Sequence, residues 1–244
     1  MMKLDGKTAL VTGGAHRLGR AIALALAKEG CRLMIHFHQS SEAAEETADE
    51  IRSLGARAEV AQADLSGSEG VHQLFAALDS AYGGLELLVN SAAILERVDL
   101  LEATEDDWRH TVGLNLKGAF FTLQQAAIRM QARGGGAIVN LSDTAAHRPW
   151  PAYPLHSISK SGLEMLTQVA AARLAPAIRV NAIVPGPTLK PVWMAEPRWQ
   201  AISRATPMGV GVEPEEVARG VVFLMRNDYL TGHSLRVDAG TLLH

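Results

Sequence analysis

The run Thr12-Gly13-Gly14-Ala15-His16-Arg17-Leu18-Gly19 has residue types and spacing suited to binding phosphate. It follows an apolar, strand-like stretch at residues 8–11 and opens a helical pattern over residues 21–28. A strand, a glycine-bearing turn and a helix N-terminus together present free N–H groups and the positive end of a helix dipole to an anion. Gly13 allows a turn that a side chain would hinder, and Gly19 lets the chain pass closely. The common dinucleotide fingerprint has a further glycine in the middle; here Arg17 stands near its place. At the end of the next strand-like stretch, residues 32–41 contain no acid of the kind that grips a ribose 2′-hydroxyl. Arg17, His38 and Ser40 instead offer donors to a 2′-phosphate, which suits the fork of an arginine. This points to NADP(H) rather than NAD. The plainer alternative leaves Arg17 and His38 as solvated surface groups.

The elements that must position these residues alternate along the chain without a linker or a repeat. Strand patterns occur at residues 8–12, 32–36, 57–62, 85–90, 137–141, 179–183 and 234–237. Helical patterns lie between them, among them 42–54, 71–82, 115–132, 157–174 and 214–225, with Ser41 as N-cap and Gly55 as stop of the first of these. This βαβ alternation predicts an α/β fold in one domain over residues 1–244. The expected architecture is a Rossmann-type, doubly wound parallel sheet of about seven strands with helices on both faces. Ligands bind such sheets at the strand C-termini, where the strand order switches.

Composition narrows the function classes. The chain has 244 residues, 48% of them hydrophobic and 20% charged, with a formal net charge of −3. No basic excess exists to neutralise nucleic-acid phosphates. The single cysteine, Cys31, forms no internal disulfide framework and fits a structural thiol. The first residues carry no apolar signal core, and no apolar run reaches spanning length. The expectation is a cytoplasmic protein with a small-molecule substrate, no metal, no nucleic-acid partner and no membrane.

The chain resembles the short-chain dehydrogenase/reductase family over essentially its whole length. The motifs that carry the resemblance are the glycine turn, Asp64-Leu65, Asn90-Ser91-Ala92, Asn115, the polar residue after 137–141, Lys160, Pro185-Gly186-Pro187-Thr188 and the closing 230–240 segment. Within the family it is most similar to pteridine reductases. Arg17-Leu18-Gly19, the His36-Phe37-His38 segment and an aspartate, Asp143, in place of the usual catalytic serine are the shared points. The resemblance implies nicotinamide chemistry, with Gly13, Arg17, Leu18, Gly19, His38 and Ser40 on the cofactor phosphates. It also implies Asp64 and Leu65 at the adenine and Asn90 shaping the pocket. Pro185, Gly186 and Thr188 would hold the carboxamide, and Lys160 the ribose hydroxyls. Asn115 would hold a water linking Lys160 to solvent. Asp64 as a helix-entry cap and Asn115 as a helix-interior amide are the plainer alternatives.

One position departs from the family. Reduction of a carbonyl or imine needs a proton for the developing negative charge. Relatives supply it from a tyrosine four residues before the lysine; here that residue is His156, in His156-Ser157-Ile158-Ser159-Lys160. Three readings stay open. In the first, His156 is the acid and Asp143, 13 residues earlier at the family's Ser-to-Tyr spacing, favours its imidazolium. In the second, Tyr153 or a water substitutes. In the third, the chain binds NADP(H) without useful turnover, as a non-catalytic protein or sensor. The substrate is a carbonyl or pterin-like compound, although Ile94-Leu95 occupy the stretch where pteridine reductases carry a stacking ring. A lid bearing Trp193, Met194, Trp199 and Met208 is expected after Thr188. The family's tetrameric assembly implies a homotetramer. Ala126, Ala127, Ala170, Ala171 and Ala172 would allow close helix approach, with Leu242-Leu243 buried at the C-terminal end.

Overall fold

The computed structural model describes residues 1–243. Seven parallel strands form one sheet in the order β3-β2-β1-β4-β5-β6-β7. They are β1 (Thr8–Thr12), β2 (Arg32–Phe37), β3 (Ala58–Gln62), β4 (Leu87–Asn90), β5 (Gly136–Leu141), β6 (Ile178–Pro185) and β7 (Ser234–Val237). The order reverses between β1 and β4, which pair from Ala9 with Leu87 to Thr12 with Asn90. Their C-terminal ends therefore diverge into a crevice at the switch point.

Strand alternation builds a core on each face. Ala9, Val11, Leu33, Ile35, Leu87, Val89 and Val139 face one cluster, with Ile22 and Leu26 of α1 (Arg17–Lys28) and Val221 and Leu224 of α8 (Pro214–Arg226). Leu10, Met34, Leu88 and Ile138, one residue out of phase, face the other. There they meet α3 (Ser68–Tyr82), α5 (Ala119–Ala132) and α6 (Pro154–Leu174). Period-two patterning inside a sheet covered on both sides leaves no polar face, so the strands read as near-continuous apolar runs.

Most element boundaries shift by a few residues from the sequence reading. Ser41 is the first residue of α2 (Ser41–Ser53) rather than its N-cap; Ser40 takes that place without a side-chain bond. Gly55 does end the helix, its N–H reaching Arg52 O at 2.9 Å. Two helices were not anticipated, α4 (Glu105–Val112) and α7 (Glu196–Arg204). The first starts with a capping box, in which Thr104 Oγ1 accepts from Asp107 N–H and Asp107 accepts from Thr104 N–H. It runs through a π-helical segment, Gly113–Gly118, into α5. The expected helix at 115–132 is thus the continuation of α4. Ala126, Ala127, Ala170 and Ala171 are buried in the chain's own core, where their small size serves intrachain packing, and Ala172 is exposed. Leu243 is exposed in the single chain. No helix is long and apolar enough to cross a membrane, among the described residues.

Candidate active site

The glycine turn, the ends of β2 and β3 and the loop after β4 enclose a cleft of about 460 Å³ at the switch point. Gly13 has φ +63°, and a Cβ on Gly19 would lie 2.1 Å from Gly13 O, so the turn and the first turn of α1 touch backbone to backbone. Only glycine fits such a contact. Arg17 also has positive φ, +55°. It therefore adopts the conformation that the missing glycine would take freely, at a cost of about 1–2 kcal/mol for a residue with a Cβ.

A buried histidine holds the turn in place. His36 Nδ1 accepts from Gly13 N–H at 3.1 Å, and Nε2 lies 3.0 Å from Ala63 O. A donor on one side and an acceptor on the other fix a neutral ring with its proton on Nε2. Burial pushes His36 down to about 4, against the hydrogen bond to Ala63 O, which raises it.

Of the residues expected at the cofactor, Gly13, Arg17, Leu18, Gly19, His38, Ser40, Asp64 and Leu65 line this cleft. Asp64 accepts from Ser66 N–H at 2.9 Å, and hydrogen bonds from Ser66 hold its carboxyl below the usual range. It closes a short turn and does not cap α3, whose N-cap is Gly67. The Arg17 guanidinium donates to Leu189 O at 3.1 Å and Lys190 O at 3.3 Å, from within the cleft that it lines together with His38 and Ser40. One placement differs from the sequence reading. Asn90 does not line the cleft; its amide donates to Asn140 Oδ1 and Ala119 O inside the protein, because β4 turns that side chain toward β5 and α5. Pro185 ends β6, Gly186 N–H bonds Val237 O, and Thr188 Oγ1 donates to Gly186 O at 3.0 Å. These three form a loop joined to β7.

The inner end of the cleft is formed by Ile94 and Leu141. Their carbonyls connect it to the residues expected to do chemistry. Lys160 Nζ donates to Leu141 O at 2.6 Å. His156 Nδ1 lies 3.2 Å from Ile94 O, and Asn115 brackets the same residue, donating to Ile94 O at 3.0 Å and accepting from Ile94 N–H at 2.9 Å. Asn115 sits in the π-helical segment, where the extra residue in the turn aims its carboxamide at α6. Its second amide proton goes to Ser159 Oγ at 3.2 Å. Asn115 Nδ2 also lies 3.4 Å from His156 Nδ1, a longer contact than those to Ile94 O and Ser159 Oγ; with both amide protons directed to these two, His156 Nδ1 is left to face Ile94 O.

The other ring nitrogen, His156 Nε2, lies 3.5 Å from Asp143 Oδ2. It is buried and its alignment does not make a hydrogen bond, so the contact is electrostatic. Each ring nitrogen thus faces an oxygen, Ile94 O at Nδ1 and Asp143 Oδ2 at Nε2. Trp150 is stacked on His156 with centroids 6.1 Å apart and planes at 21°. Burial works against the Asp143 carboxylate, but His156, Ala145 N–H and Lys160 outweigh it and hold its pKa below the ordinary value. Burial lowers Lys160 to about 8, against the charges of Asp143 and Glu164. Ser142 Oγ, buried beside Asp143, has no hydrogen-bond partner. Tyr153 sits at the N-cap of α6, its ring stacked on Trp193 with centroids 6.4 Å apart. Among the described residues its hydroxyl makes no hydrogen bond to Asp143, Asn115, His156 or Lys160.

Comparison with known proteins agrees with this geometry. A family model described as enoyl-(acyl carrier protein) reductase matches residues 13–241. The chain is 32% identical to a short-chain type dehydrogenase/reductase of Picea abies, covering 97% of this chain and 93% of that one. It is 36% identical to L-rhamnose 1-dehydrogenase (NAD(P)(+)) of Azotobacter vinelandii, covering 100% and 99%. Among solved structures, FolM alternative dihydrofolate reductase 1 from Brucella canis, complexed with NADP, superposes with a TM-score of 0.94 at 30% identity, covering 99% of this chain and 96% of that one. Strand order, glycine turn, lysine-bearing helix and whole-length similarity agree: the chain belongs to the short-chain dehydrogenase/reductase family of oxidoreductases.

Proposed function

We propose that this chain is an NADPH-dependent reductase of a carbonyl or pterin-like small molecule, in which the Asp143–His156 pair delivers the proton. The observation that carries the reading is the pair of acceptors, Ile94 O and Asp143 Oδ2, on the two nitrogens of His156. A ring held as imidazolium is a far better donor than a neutral one. The residues present fit a dinucleotide. The glycine cradle excludes any Cβ, the end of β2 has no acid, and the orphaned Ser142 Oγ lies beside the inner end of the cleft. His38 and Ser40 would meet a 2′-phosphate, Asp64 and Leu65 the adenine, and Lys160 the ribose hydroxyls. Pro185, Gly186 and Thr188 would border the carboxamide. The NADP in FolM is consistent with this choice of cofactor.

When bound, a reduced nicotinamide supplies the hydride. The chain's own part begins with His156, whose Nε2 proton goes to the oxygen or nitrogen that becomes negative. Asp143 offsets the charge of the imidazolium before transfer, and Ile94 O fixes the ring orientation. Trp150 covers one face of the ring and keeps water from it.

The FolM likeness supports a pterin-like substrate. The stacking surface would come from Tyr153 and Trp193, since Ile94 and Leu95 supply none. A homotetramer in the cytoplasm is part of this reading. Ile158, Met165 and Val169 on α6 and Phe120 and Ile128 on α5 leave an exposed apolar surface that fits such an assembly.

The test is NADPH oxidation by the wild type and His156→Tyr with dihydropterin, dihydrofolate and simple carbonyl compounds from about pH 5 to 8. Turnover that rises toward low pH in the wild type, and loses that rise in the variant, supports the reading. A wild type silent under all conditions that still binds NADPH would establish the cofactor-binding sensor instead.

A further inference from the structure

Lys160 has a second buried neighbour that the proposed chemistry does not use. Glu164 lies one turn further along α6, on the same face by the four-residue spacing. It is 8% exposed, and Lys160 is 4% exposed. Buried carboxylates are rare unless paired, since desolvation of an unpaired charge is costly. Glu164 Oε2 accepts from Ser234 Oγ of β7, while Oε1 has no hydrogen-bond partner. Among the described residues, the one ionisable side chain within 4 Å of the carboxylate is His147, its Nε2 3.7 Å from Oε1, on the loop between β5 and α6. Lys160 makes a single hydrogen bond, to Leu141 O, so two of its ammonium protons are unassigned. Two under-used, oppositely charged groups share one buried helix face.

We propose that Glu164 is a positioning residue that acts through Lys160, the buried counter-charge that keeps its amine protonated when Asp143 is committed to His156. The inference rests on the role given to Lys160 above. Asp143 lies 3.5 Å from His156 Nε2, and in the proposed chemistry its charge is spent there. Glu164 supplies a second negative charge one turn along α6 from Lys160, without a direct ion pair. Ser234 fixes the carboxylate, and His147 stands between it and solvent. Charges on Asp143 and Glu164 both raise Lys160 against the effect of its burial.

The experiment follows the Lys160 side chain by NMR in protein labelled with 13C at lysine Cε, the resonance being identified by its loss in Lys160→Met. Titrations compare the wild type with Glu164→Gln, which keeps shape and the Ser234 bond, and with Glu164→Met, an apolar residue of similar length. In either neutral variant the Lys160 midpoint is expected to fall by about one pH unit or more. NADPH affinity should then be lost at correspondingly lower pH. An unchanged midpoint in a folded variant would overturn the proposal. The readout needs no turnover. A shifted midpoint in a protein that reduces nothing would sink the reductase reading and leave the role of Glu164 standing.

Discussion

Two histidines, His36 and His156, are equally withdrawn from solvent at the C-terminal edge of the sheet, 2% and 4% exposed. Their partners give them opposite characters. His36 meets a donor, Gly13 N–H, and an acceptor, Ala63 O, so its ring is neutral and works as a strut between the glycine turn and β3. His156 faces two oxygens, Ile94 O and Asp143 Oδ2, and lies against an indole face, the surroundings on which its proposed role as proton donor rests. Burial alone does not decide what a histidine does. The donor or acceptor character of the atoms at its two nitrogens does.

Removing His156 should have the largest effect. His156→Ala is expected to lower kcat/KM by about 10²–10⁴-fold while leaving NADPH affinity nearly intact, as read by cofactor fluorescence. Equal activity in the variant would move proton delivery to Tyr153 or water. Asp143→Asn keeps the shape of the contact and removes its charge. A loss of about 10²-fold in kcat/KM would isolate the electrostatic part, and unchanged activity would mean that the carboxylate charge plays none.

The neutral member makes a prediction about stability. His36 falls from 6.5 to about 4 on folding, so the unfolded chain binds the extra proton between those values. The neutral ring therefore stabilises the fold fully above about pH 6.5, and that contribution is lost as pH falls toward 4. The loss is on the order of 3 kcal/mol at most. Urea midpoints across this range should drop more steeply in the wild type than in His36→Gln; parallel curves would mean that the strut does not hold. Arg17→Gly is the smallest change. It relieves the positive φ but releases the Leu189 and Lys190 carbonyls, so stability should move by no more than about 1 kcal/mol. Faster proteolysis of residues 189–195 would register the loss of that clasp.

The difference between the histidines also marks how far the sequence could be read. The parallel sheet was legible because strand patterns alternate with helical ones, and the phosphate turn because its glycines follow a strand. The Asp143–His156 contact was legible only through the family's 13-residue spacing. The role of His36 was not, since its partners, Gly13 and Ala63, come from the ends of β1 and β3 and meet it only when three strands align. The bonds from Arg17 to Leu189 O and Lys190 O were not legible for a like reason: nothing local says where residues 189 and 190 fold. The start of α4 did carry a signal, in Thr104-Glu105-Asp106-Asp107, where aspartate takes the place that glutamate or glutamine usually holds in a capping box. The π-helical segment holding Asn115 carried none, because an added residue in a helix leaves the composition unchanged.

The central proposal is that His156 delivers its proton as an imidazolium, whereas His36 is a neutral strut. Nitrogen-15 NMR of ring-labelled histidines at about pH 7 tests it directly, with His36→Gln and His156→Tyr assigning the two signals. The account predicts two protonated nitrogens on His156, becoming one in Asp143→Asn, and a single proton on Nε2 of His36. A bare nitrogen on His156 in the wild type would contradict it.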